Sequence, residues 1–516
     1  MQKIIVGLIL VLTLGEISGQ NHGINGNWYQ SPKSVPPTVA GAKMGGAVAN
    51  SMVVTRDGAV IIFYKENGKI FMAGSSDNGN SWLAPAPRQI SVTAGMLQTG
   101  TASAESDTSG NIHIVWKASE PLGLFHSIYY PLTQNWSEVT SINTQITSSI
   151  GFYQITVDRK NRLHVMWQDG NHESANDTAE VYYSCSIDGG LNWSTRLRLS
   201  SFDGKPDAFP VADFSGTESD TLLIPWRENS KSASGWDVYG ARSTNGGANW
   251  QTQQLLAGGQ GNQWDPNLVI DKYGRMHLFF HVYPNPNPAY TASVLYIYSL
   301  DGGNTWSEQR TISQPLIRSH LVKTAYDFTN NRVWCFWKDE RDFNFSTGNP
   351  EADIIGLYTQ LAGDNLYLSE PEFISDGDST EYGYHNFKAG DDGIMRAHFF
   401  LMVNGEGDSL YYTQRSTVSS AKEADGLSNR FFLLLNNYPN PFNPETTIEY
   451  YIPEREIVTI QIYNSLGQKV RNLLQEEKPA GSHKIRFNAE ALASGVYYAR
   501  ISAGKHFGFV KMLLLR

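Results

Sequence analysis

Charged side chains are scarce in this 516-residue chain. Asp, Glu, Lys and Arg make up only 17%, and 40 basic residues face 50 acidic ones for a formal net charge of −10. That balance argues against nucleic acid as a partner, because phosphate binding needs a basic face. It leaves room for a local basic pocket that takes an acidic sugar. Cysteine is nearly missing as well. Cys185 and Cys335 fall in different repeats as assigned below, so no disulfide is expected between them and both read as small buried side chains. No Cys/His spacing indicates zinc, and neither metal nor cofactor is expected. Long apolar runs are absent beyond the N-terminus. Residues 1–19 have the form of a signal peptide, with Lys3, an apolar core over 4–14 and Ser18-Gly19 before the cut. That core is too short to span a bilayer, and no Cys follows it to carry lipid. The mature chain is expected to be soluble, with no membrane span.

Glycine and aromatics are plentiful: 47 Gly, 26 Tyr and 13 Trp. With so little charge, this suits many short strands joined by turns. The chain also repeats itself. SSDNGNSW at 75–82 returns as SIDGGLNW at 186–193, STNGGANW at 243–250 and SLDGGNTW at 299–306. The pattern has a physical logic. The carboxylate or amide of Asp77, Asp188, Asn245 and Asp301 can accept backbone N–H groups across a turn, and Gly can take positive φ. Trp82, Trp193, Trp250 and Trp306 then pack beneath. Worn copies surround Trp28, Trp136 and Tyr367, so the aromatic markers recur every 54 to 61 residues. A second series of turn-then-apolar strands runs at 59–64, 112–116, 163–167, 222–226, 276–280, 333–337 and 395–400. These are expected to be inner strands, one per unit.

The octapeptides resemble the Asp-box (BNR) repeat of sialidases and related β-propellers. The resemblance implies an all-β fold, a propeller over residues 20–415, with Asp77, Asp188, Asn245 and Asp301 structural. Counting both series gives seven blades, with six as the alternative. Residues 28–40 are expected to close the ring by supplying an outer strand of the last blade.

A polar linker is expected over 416–429. The run NNYPNPFNP at 436–444 then opens a segment of alternating strands, with turns at Leu466-Gly467-Gln468 and Ala480-Gly481 and a late strand from Val496. Residues 430–516 resemble the type A sorting domain of the type IX secretion system. That resemblance implies a small Ig-like β-sandwich, recognition by the secretion machinery, and a secreted or outer-surface location in a bacterium possessing that system.

In a propeller, loops entering the blades and loops leaving the second strands meet on one face at the axis, the default ligand site. Tyr153, Asp207, Trp264, Asp265, Arg318, His320, Tyr384 and His385 come from the first set. Gln168, Asp169, His172, Arg227, Glu228, His281 and the run from Lys338 to Arg341 come from the second. Aromatic faces, amides and carboxylates suit an extracellular glycan or polysaccharide. Arg227, Arg318 and Arg341 can pair with a sugar carboxylate, while Trp264, Asp265, His385 and Tyr153 are candidate contacts. The resemblance to sialidases implies an arginine triad and a tyrosine nucleophile with a glutamate assistant, for which Tyr384 and Glu228 are the candidates. The family's first arginine has no counterpart, because Asn50-Ser51-Met52-Val53-Val54 stands in its place. Three readings remain open: a sialidase-like glycoside hydrolase, a polysaccharide lyase in which His320, His385 or Tyr384 takes a proton beside a uronate carboxylate, and a non-catalytic glycan- or protein-binding propeller.

Overall fold

The computed structural model describes residues 33–34, most of 50–416 and most of 436–515. Residues 1–19, Trp28, His172, Arg341 and the linker beyond Ser416 lie outside the described residues, as do the side chains of Tyr384 and His385. Every described element is a strand, and no described helix is long and apolar enough to cross a membrane.

Seven sheets occupy residues 33–416. Each is led by a first strand: Met52–Val54, Ser103–Ser106, Ile150–Val157, Asp207–Ala208, Asn262–Ile270, Ser319–Asp327 and Glu381–Ala389. The apolar strands expected to be innermost are instead the second of each sheet, a correction with a simple cause. A second strand is flanked within its sheet and covered on both faces by neighbouring sheets, so it reads as a continuous apolar run. Leu163–Asp169 and Arg332–Asp339 are accordingly buried at every position. Most first strands are shorter or more polar, and among the described residues all but Asn262–Ile270 leave one edge without a ladder partner.

The first strands other than Asp207–Ala208 touch one another in turn, from Asn262–Ile270 through Ser319–Asp327, Glu381–Ala389, Met52–Val54 and Ser103–Ser106 to Ile150–Val157. The remaining link is irregular. After Asp207–Ala208 the chain breaks away at Phe209, with φ of 57°, and Ala212–Asp213 runs parallel to Asn262–Ile270. On its other side, Gln154 binds both the N–H and the C=O of Ala212. The last sheet takes its outer strand from the start of the chain: Lys33 and Ser34 pair antiparallel with Tyr412 and Tyr411.

The four octapeptides fold alike. Asp77, Asp188, Asn245 and Asp301 each accept the backbone N–H four residues on, at 2.7, 2.9, 2.8 and 2.9 Å. Their tryptophans pack between sheets: Trp193 meets His126 and Trp250 meets Tyr183 edge to face, both from the preceding sheet.

Residues 436–515 form a three-stranded and a four-stranded sheet. Alternate residues of Glu456–Asn464 and Gly495–Ala503 point inward, and Ile448, Val458, Ile460, Phe487 and Ile501 share one core. This strict period of two is what one solvated and one buried face demand.

Candidate functional site

First strands begin, and second strands end, at the same end of the ring. Four first strands carry a register break there, between Ile150 and Tyr153, Trp264 and Asn267, His320 and Lys323, and Tyr382 and His385. Asp265 and Leu321 sit at these breaks with φ of 49° and 54°, matching Phe209. Such bulges re-aim side chains and are common beside functional sites. They cluster here on one mouth.

The bulges assemble an aromatic and cationic cluster. Trp264 lies at its centre. The Arg227 guanidinium sits 3.8 Å from the Trp264 ring centroid, 4.5 Å from Trp236 and 4.3 Å from Phe209. Fully buried, it is held as a cation by three π faces. Next to Trp264 stand Tyr283 at 5.9 Å and His281 at 6.5 Å, and His320 follows 6.1 Å from His281 and 6.3 Å from Tyr283. His320 Nε2 lies 2.8 Å from Glu340 Oε1 and is assigned as the donor, because a carboxylate only accepts. Glu340 also meets Arg318 Nη1 at 3.2 Å and Lys338 Nζ at 3.3 Å. Arg318, about one-third exposed, reaches the Tyr283 ring at 5.9 Å.

These neighbours set the charge states. For Glu340, burial alone would raise the carboxyl, but the His320 hydrogen bond and the charges of His320, Lys338 and Arg318 outweigh it and hold the group at about 2. Burial drives the His281 imidazole down to about 3, with Asp265 opposing and the cations around it adding. Burial raises the Tyr283 phenol against the pull of Arg318. The mouth therefore holds several cations, the carboxylates of Glu340 and Asp265, a neutral imidazole and a protonated phenol on a chain that is acidic as a whole.

Trp264, Asp265, Arg227, Arg318 and His320 are thus brought together. Others are placed elsewhere. Tyr153 is fully buried among Trp167, Val165 and Ile155, away from the mouth, and burial pushes its phenol up. The bulge at Gly151 and Phe152 is the reason for this correction: one extra residue exchanges the faces, so Phe152 instead meets Phe209 at 5.3 Å. Glu228 is also fully buried. Its oxygens are taken by Lys205 at 2.9 Å and Gln253 at 2.7 Å. Beside it Asp207, which accepts from Trp226 Nε1 at 2.8 Å, is raised well above an ordinary carboxylate by burial and by Glu228 and Glu180. Burial likewise raises Glu180 to about 7, against the Ser200 hydrogen bond. Sequence reasoning missed Tyr283, Trp236 and Phe209. Tyr283 had a signal: it lies two residues beyond His281 on one strand, hence on the same face. Among the described residues no group of metal-ligating side chains forms.

Comparison with known proteins gives two family matches, a BNR repeat-like domain over residues 220–340 and a secretion system C-terminal sorting domain over 436–515. No curated protein matches. Among solved structures, the chain is similar to a family PL25 ulvan lyase bound to -[GlcA(1-4)Rha3S]-, at 13% identity over 77% of this chain and 99% of that one, with a TM-score of 0.49. Polysaccharide lyase Uly1 is similar at 10% identity over 75% and 91%, with a TM-score of 0.47. The sialidase of Trypanosoma rangeli gives 10% identity over 93% and 88%, with a TM-score of 0.40. The protein thus joins a BNR repeat-like domain to a C-terminal sorting domain of the type IX secretion system, which sends it to the cell surface or the extracellular space.

Proposed function

We propose that the seven sheets form a seven-bladed β-propeller of Asp-box repeats over residues 20–415, preceded by a signal peptide over 1–19. A linker over 416–429 joins it to an Ig-like sorting domain over 430–516. We further propose that the mouth acts on an anionic extracellular polysaccharide by β-elimination at a uronate residue. The observation that carries this reading is the arrangement of His320 between Glu340 and Tyr283, beside the half-open Arg318.

Elimination needs a cation for the uronate carboxylate, a base for the proton beside it and an acid for the departing oxygen. Arg318 supplies the first through donors that Glu340 leaves unused. Glu340 fixes the His320 tautomer with the proton on Nε2, which leaves the Nδ1 lone pair as base. Tyr283, its phenol kept protonated by burial, is placed to give its proton to the leaving oxygen. The C5–H and C4–O bonds break and a C4=C5 double bond forms. His320 gains one proton and the new hydroxyl takes the one lost by Tyr283. A glycoside hydrolase would instead require a carboxyl held protonated near the bond; Glu340 is driven the opposite way, and the raised carboxyls of Asp207 and Glu180 are buried beside Glu228 and not in this cluster. Trp264 offers an aromatic face for the sugar's C–H surface. Tyr384, His385 and Arg341 remain candidate contacts beside this set.

The test is a product screen with the full mature chain on polyuronate, sulfated, sialylated and neutral glycans, read by mass spectrometry. Products with one end lighter by a water, absorbing in the ultraviolet through the new double bond, are expected from polyuronates. Ordinary hydrolysis masses would make it a hydrolase. No product together with measurable binding would make it a glycan-binding propeller.

A further inference from the structure

The ring has an internal ladder. Six first strands carry an equivalent residue four positions before the one that opens their hairpin: Ser51, Ser103, Gln154, Asn267, Lys323 and Asn386. Four of these positions link their strand to the next one round the ring. Ser103 Oγ accepts from Ile155 N at 3.1 Å, and Gln154 Nε2 donates to Ala212 O at 3.0 Å. Asn267 Nδ2 donates to Val322 O at 3.1 Å, and Asn386 Nδ2 donates to Ser51 Oγ at 3.0 Å. A short amide or hydroxyl satisfies the neighbouring backbone without bringing charge to the axis.

Lys323 breaks the series. It places an ammonium where its equivalents place a neutral linker, and it makes no hydrogen bond with a described residue. Its Nζ lies 6.0 Å from the centre of the Phe152 ring. Phe152 leads to Phe209 at 5.3 Å, and Phe209 to the Arg227 guanidinium at 4.3 Å. Two cations thus flank a pair of rings, and one of them, Arg227, also lies against Trp264. Burial lowers the Lys323 ammonium, with only the charge of Asp265 opposing. Keeping an ammonium at a half-buried position that three sister residues fill with amides costs stability, and an anionic ligand would offset that cost.

We infer that Lys323 is the floor of the mouth's binding site and takes a second anionic group of the glycan, a carboxylate or sulfate ester, one sugar away from the carboxylate held by Arg318. This rests on the reading of the mouth as an anionic-glycan site and adds to it a specificity-determining residue. It also implies a ligand charged at more than one position.

Lys323→Gln is the informative variant, because glutamine already occupies the equivalent place at Gln154. It should melt no lower than the wild type. Sulfate is the minimal probe: it should raise the wild-type melting temperature by more than that of Lys323→Gln, the general salting effect being common to both. Oligogalacturonate and a sulfated galactan are the two larger probes. One should bind the variant roughly ten- to a hundredfold more weakly, as expected for one charge-assisted contact, and which one does so tells carboxylate from sulfate. Lys323→Arg should restore binding. Equal sulfate responses and unchanged affinity for both polymers in Lys323→Gln overturn the inference while leaving the mouth's proposed function standing. A wild type that binds neither polymer and gains no more from sulfate than the variant overturns both.

Discussion

At the residue scale, the proposed base His320 is bonded to Glu340 at 2.8 Å. Removing the imidazole in His320→Ala should lower kcat on a polyuronate by about 10² to 10⁴-fold. Glu340→Gln should lower it less, through a misplaced tautomer. Arg318→Ala should lower kcat and raise KM together, because the cation both holds the carboxylate and stabilises the charge that grows on it, and steady-state rates with the three variants separate these roles. A second residue matters for acid stability. His164 and His277 each bond a tyrosine hydroxyl, Tyr183 and Tyr296, at 2.8 Å, but the equivalent partner of His113 is another histidine, His126, at 3.1 Å. Burial, with the charge of His113, pushes His126 down to about 3 from its ordinary 6.5. The folded state therefore refuses a proton that the unfolded chain accepts. Stability from this site is complete above pH 6.5 and is lost as pH falls toward 3. His126→Tyr, which copies the sister sheets, should flatten the melting temperature between those pH values, as a thermal series would record.

At the element scale, the repeated turns do more than reverse the chain. Gly189 and Gly190 both have positive φ, 74° and 87°. A methyl on Gly189 would meet nothing within 4 Å, whereas one on Gly190 would collide with the His126 ring. On the next turn a methyl at Gly247 would collide with the Tyr183 hydroxyl. The second glycine is thus where a ring of the preceding sheet packs, whereas the first meets nothing at Gly189 and the flexible end of Arg162 at Gly246. Gly189→Ala should cost about 1 kcal/mol from the backbone alone, and Gly247→Ala should cost more, by roughly 1–3 kcal/mol of overpacking; urea unfolding of the two variants measures the difference. The turn chemistry of Asp188 and Asp301 was legible in the sequence because it is local. The mouth was only half legible. Trp264, Arg227, Arg318 and His320 could be placed from strand ends, but a bulge is invisible to a pattern of period two. One inserted residue at Phe152 was enough to exchange it with Tyr153. Lys323 could not be singled out until its equivalents were aligned through their hydrogen bonds, since as a letter it is one lysine among many.

At the scale of the whole molecule, stability depends on residues far apart in the chain. Lys388 and Glu105 form an ion pair among the first strands, and Asn386 binds Ser51. Lys33 and Ser34 complete the sheet of Asp408–Ser416. Deleting residues 20–40 should leave that edge open. The expected outcome is a lower melting temperature together with concentration-dependent association, visible by light scattering.

That two-residue pairing also sets an order of events during export. A chain threaded through a membrane from its N-terminus delivers Lys33 and Ser34 early, yet their partners at Tyr411 and Tyr412 emerge almost four hundred residues later. Until then both ends of the ring are sticky edges in need of shelter. The sorting domain follows only a short way behind the closing strand, so the address becomes readable at nearly the moment the cargo can shut. A product cut short before Tyr411 would lack both the strand that closes its last sheet and the sorting domain.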